Sequence, residues 1–133
     1  MRVTVDEQLK KFYLAIVNMS NPKDCHWVPA IGHEIQVGKY RFSVVPASAD
    51  HLIVSEVTSG VEVMNIKMSQ ETQVSAKKDV LDLLRSIGET SLTEIIEKNH
   101  DFDKAVANGK KRSYSMLGEM PPIEVYDMEG AAE

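Results

Sequence analysis

The sequence predicts an α+β fold: an N-terminal amphipathic helix, a four-stranded antiparallel meander, and C-terminal helices packed on one face of the sheet. Three observations predict it. Apolar residues recur with a helical period over residues 5–19, alternate with polar ones around two turn signals over residues 33–68, and return to a helical period from residue 75. A period near 3.6 marks a helix and a period of two a half-buried strand. Strands grouped together, then helices, give α+β rather than alternating α/β architecture.

In the first element, Val5, Leu9, Phe12, Tyr13, Ile16 and Met19 fall on one helical stripe. Thr4 and Glu7 stand at capping-box spacing, and Asn21-Pro22 closes the segment. Such a helix must rest on an apolar surface, which the sheet provides.

The sheet begins in EIQVGKYRF. A two-residue Gly38-Lys39 turn pairs Val37 with Tyr40 and Ile35 with Phe42, leaving Glu34, Gln36, Arg41 and Ser43 on a polar face. One buried and one wet face is the pattern of antiparallel sheet. A break over residues 46–50 precedes HLIVSEVTSGVEVMNIKM, where a Thr58-Ser59-Gly60 loop pairs Val54 with Met64 and Leu52 with Ile66.

Beyond residue 75, Val80, Leu81, Leu83, Leu84 and Ile87 make an apolar helix face that ends at Gly88, read as a C-cap. Ser91 and Glu94 suggest a second capping box, and Asp101 caps a last helix that stops at Asn108-Gly109. IEVYDM reads as an edge strand. The expected organisation is therefore a single domain over 1–133: helix 5–19, sheet about 33–68, helices about 75–109, and a C-terminal loop or edge strand over 110–133.

Composition narrows the function. A chain of 133 residues, 43% hydrophobic and 26% charged, has the length and apolar content for one packed core. Its net charge of −5 argues against a nucleic-acid partner, because phosphate contacts demand a basic excess. One cysteine allows no intrachain disulfide and fits a reducing compartment. MRVTVDEQLKK does not read as a signal peptide, and no uncharged stretch approaches the ~20 residues of a membrane span. The expected location is cytoplasmic, with no membrane contact.

DCHWVPAIGHE concentrates the chemistry-bearing residues, with Cys25, His26, Trp27 and His33 close together. Structural zinc wants four Cys or His ligands, usually as two close pairs. Cys25 and His26 are adjacent and point apart, while His51 and His100 belong to other elements, so no metal ligands are expected. Cys25 reads instead as a small buried hydrophobe. No phosphate-binding loop, nucleophile elbow or zinc-protease helix is present. The reading leans against an enzyme, with no catalytic residues and no cofactor. Lys110, Lys111, Arg112 and Tyr114 form a basic segment that could meet a phosphate while Tyr114 stacks on a base. The preceding residues 69–104 carry eight acids against five bases, which opposes a polyanion.

The expected function is non-catalytic protein–protein interaction, of adaptor, chaperone or inhibitor type, as a homodimer, since sheet edges must be covered or paired. Trp27, His26, His33 and Arg41 are the expected contact residues. One alternative is a small-molecule pocket between the sheet and helix 5–19, with His26, His33 and Arg41 as its polar groups. The other is a nucleic-acid accessory role for residues 110–114.

Overall fold

The computed structural model describes residues 1–17, 20–48, 50–68 and 77–126. Its N-terminal segment is strand, which overturns the expected helix over 5–19. β1 (Val3–Val5) and β2 (Lys10–Ile16) both run antiparallel to β3 (His26–Val37), with Val5 opposite Ile35 and Phe12 opposite Ala30. The reason lies in a second period hidden inside the apolar stripe. Phe12 and Leu14 are buried and alternate with the half-buried Lys11, Tyr13 and Ala15. Aromatic residues suit a pleated, half-buried surface, and pairing to β3 outweighs any local helical preference. Thr4, expected to cap a helix, instead sits opposite Gln36. Met19 lies outside the described residues.

β4 (Tyr40–Ser48), β5 (His51–Glu56) and β6 (Glu62–Lys67) follow β3 as consecutive antiparallel neighbours. Both hairpins have the expected register, with Ile35 opposite Phe42 and Val54 opposite Met64. β7 (Glu124–Val125) adds to the other edge of β2. The expected four-stranded meander is thus only part of an antiparallel sheet that has seven strands among the described residues, ordered β6-β5-β4-β3-β2-β7 with β1 beside β3.

β3 changes partners at Gly32. Its first half pairs with β2, and its second half pairs with β1 and β4. A Cβ on Gly32 would stand 2.0 Å from the carbonyl oxygen of Val44, so only glycine lets the strand cross β4 there. Strands that switch sheets in this way make corners. The bend brings Phe12 and Leu14 over Val45 and Val57, creating a core inside the coiled sheet. Ala15 then donates its backbone N–H to the Gly60 carbonyl (2.8 Å), tying β2 to the β5–β6 turn.

Helices cover the opposite face. α1 (Lys77–Ile87) runs through a π-helical turn, Gly88–Leu92, into α2 (Thr93–Lys98) and is followed by α3 (Phe102–Leu117). Leu84, Ile87, Leu92, Ile96 and Phe102 pack on Ile35, Val37, Phe42, Val44 and Val54 to form the larger core. Gly88 does not end a helix. A Cβ there would meet Val3 Cγ1 at 2.6 Å and Ile35 Cγ2 at 2.9 Å, so the glycine serves close approach to the sheet. No capping box forms at Ser91, since helix already precedes it. Asp101 does cap α3, accepting from the Lys104 N–H at 3.1 Å. That helix passes Gly109 and ends at Gly118 (φ 82°), so residues 110–117, expected as loop, are helical.

Candidate functional site

The bend at Gly32 also opens a cavity. The β3–β4 ladder stops at His33–Val44, because β3 then departs with β2 while β4 continues to Ser48. Where the layers part, Val44, Leu52, Val80, Leu83 and Leu84 wall an apolar cavity of about 420 Å³ between the sheet and α1. His33, His51 and Ser48 are its polar lining. Small-molecule sites commonly combine an apolar wall of this kind with a few placed polar groups.

Both imidazoles are oriented through Nδ1. That of His33 lies 3.0 Å from the Asp6 carbonyl oxygen, in the break between β1 and β2. This break is itself pinned, with the Asp6 N–H donating to the Glu34 carbonyl and Gln8 N–H to the Asp6 carboxylate, both at 2.9 Å. His51 Nδ1 lies 2.8 Å from Asp50 Oδ1 and 3.1 Å from Ser48 Oγ. The Ser48 hydroxyl donates to the same Asp50 oxygen at 3.0 Å. These bonds, that of Ser48 first and that of His51 second, hold the Asp50 carboxyl below its ordinary pKa. The Gln8 N–H, followed by Lys10, does the same for Asp6.

The arrangement limits the chemistry. Ser48 and Asp50 share one nitrogen of His51, whereas a nucleophile–base–acid triad needs them on opposite nitrogens. His33 is opposite Val44 and His51 opposite Ser48, four residues further along β4. At ~3.3 Å per strand residue that is about 13 Å, too far for both to ligate one ion. Among the described residues, no group of three or more His, Cys, Asp or Glu side chains could hold a metal.

The residues expected to act together are dispersed. His33 lines the cavity, but His26 is exposed at the start of β3, its Nδ1 3.0 Å from the Asp24 carbonyl. Cys25 is half-buried beside it. Arg41 turns to the coiled face, where it donates to both oxygens of buried Glu34 at 2.8 and 2.9 Å, with Lys10 at 3.2 Å from the same carboxylate. Trp27 meets Tyr114 edge-on, with ring centroids 5.8 Å apart. Lys110 lies over the Tyr114 ring at 5.4 Å, while Lys111 and Arg112 are exposed on α3. Two groups that look separate in sequence therefore meet, and Tyr114 is engaged with Trp27 rather than presented for stacking on a base.

Sequence reasoning missed His51, Ser48 and the α1 leucines as a site. The break over residues 46–50 was the available signal, since a strand that ends beside a histidine leaves that ring near an open edge. What the sequence lacked was the placement of α1 over β4 and β5. Among the described residues, no helix is long and apolar enough to cross a membrane. In comparisons with protein-family models, curated proteins and solved structures, nothing matches this chain.

Proposed function

We propose that this chain binds a small, elongated and mostly apolar molecule between its sheet and α1. The observation that carries the reading is the 420 Å³ cavity, walled by Val44, Leu52 and the α1 leucines, with two oriented imidazoles in its lining. The pocket expected against an N-terminal helix is replaced by one against α1, and of its three expected polar residues only His33 takes part. With one cysteine, and so no intrachain disulfide, the carrier suits a reducing, cytoplasmic setting.

The experiment uses the neutral solvatochromic dye Nile red. The native chain should give saturable, blue-shifted emission, because the dye leaves water for an apolar wall. Leu83→Trp, which fills the cavity from the half-buried side of α1, should weaken that binding at least tenfold while the melting temperature holds. Unsaturable emission, or equal binding by the filled variant, would contradict the reading.

A second reading, contact with a protein partner or a second copy, is favoured by one observation. The outer face of the β2–β3 hairpin presents Ile31, 37% exposed and also part of the cavity lining, beside Tyr13 and Pro29. Sedimentation equilibrium of the native chain and of Ile31→Glu tests it. A dimer lost in the variant supports this reading, and a monomer in both removes self-association.

A further inference from the structure

Resting on the pocket reading above, we infer that the occupant is an alkyl-chain molecule that offers hydrogen-bond donors, an alcohol or ammonium group, rather than a carboxylate. The inference comes from the direction in which the two imidazoles are polarised. In a neutral imidazole one nitrogen donates and the other accepts. The His33 Nδ1 faces a backbone carbonyl oxygen, which can only accept, so Nδ1 carries the proton. The His51 Nδ1 faces the Asp50 carboxylate, again an acceptor. Ser48 has spent its one hydroxyl proton on Asp50, so its oxygen too can only accept from the ring.

In the neutral rings both Nε2 atoms are therefore lone-pair acceptors, and each ring lines the cavity. Among the described residues no lysine or arginine lines the cavity; the Asp6 carboxylate near His33 is paired with Lys10 at 3.0 Å, and the Asp50 carboxylate bonds the His51 ring. A carboxylate head would meet acceptors at either ring and give up its hydration without a donor in return. A hydroxyl or ammonium would find an oriented acceptor, and its alkyl body would cover Val44, Leu52 and Leu84. The two histidines stand opposite β4 residues four apart, about 13 Å of strand, which suits a chain better than a compact ring system.

The test is displacement of Nile red from the native chain at pH 8 by 1-decanol, decylammonium and decanoate. Decanol or decylammonium should displace the dye at least tenfold more effectively than decanoate; which of the two leads identifies the head group. His33→Phe and His51→Phe keep ring volume but remove the acceptors. Each should reduce that preference, and the double variant should abolish it, the dye affinity of each variant being measured first so that displacement is compared on one scale. Decanoate binding as tightly as decanol, or a preference that survives the double variant, would overturn the donor inference while leaving the pocket reading intact. Failure of the native chain to bind Nile red at all would take both down.

Discussion

Gly32 and Val44 cross so closely that a Cβ on the glycine would lie 2.0 Å from the Val44 carbonyl oxygen. That contact fixes where β3 leaves β4, and so both the inner core and the cavity depend on it. Gly32→Ala must push backbone rather than a flexible side chain, and is expected to lose about 3 kcal/mol. Gly118→Ala is the control. Its φ of 82° strains an alanine, but nothing lies within 4 Å, so about 1 kcal/mol is expected. Urea unfolding of both variants measures the difference.

The ion cluster inside the coil should appear as a pH dependence. Burial alone would raise the Glu34 carboxyl, but the hydrogen bonds and charge of Arg41, joined by Lys10, outweigh it and hold the pKa below the usual range. A depressed carboxylate pKa adds stability above the unfolded-state value, about 4.3, and that contribution fades as pH falls through the folded-state value. Glu34→Gln should therefore be less stable than the native chain by about 1–2 kcal/mol at pH 7, with the gap closing below about pH 4. The figure is modest because the Arg41 side chain is 40% exposed and solvent screens the pair. Chemical unfolding at a series of pH values checks it.

Trp27 is the only tryptophan, so its fluorescence reports the contact with Tyr114. Tyr114→Ala should move the emission to the red and lose about 1 kcal/mol from the edge-on pair alone. Lys110→Glu with Lys111→Glu should leave the emission in place, since neither lysine separates the two rings.

The π-helical turn gives a fourth expectation. The Thr93 hydroxyl donates to the Gly88 carbonyl at 2.7 Å, a second bond to the oxygen that already accepts the Thr93 N–H across the π-turn. Thr93→Val keeps the shape and removes the donor. A loss of about 1 kcal/mol is expected, with helicity by circular dichroism nearly unchanged.

Local chemistry made the hairpins legible. Gly38-Lys39 and Gly60 set turns between alternating residues, and register follows once a turn and a buried face agree. The N-terminal segment was misread because Phe12, Ile16 and Leu9 fit a helical stripe while Phe12 and Leu14 fit a strand, and only β3 decides between them. Gly88 and Gly109 were misread for a related reason. Each looks like a helix terminator in sequence, yet Gly88 sits against Val3 and Ile35 and Gly109 against Ser59 and Val61. A glycine used for packing cannot be told from one used for turning until its neighbour is known. The cavity was invisible for the same cause, since it arises from the parting of β3 and β4 and the placement of α1, all long-range facts. His33 was singled out from sequence, but its partnership with His51 was not.

The most direct measurement is a methyl-resolved NMR titration of the native chain with 1-decanol at pH 8. Saturable shifts concentrated on Val44, Leu52, Val80, Leu83 and Leu84, with Val45 and Val57 of the inner core unmoved, are the predicted result. Shifts that never saturate, or that centre on exposed methyls away from the cavity such as Val61 and Val125, would contradict a binding site between the sheet and α1.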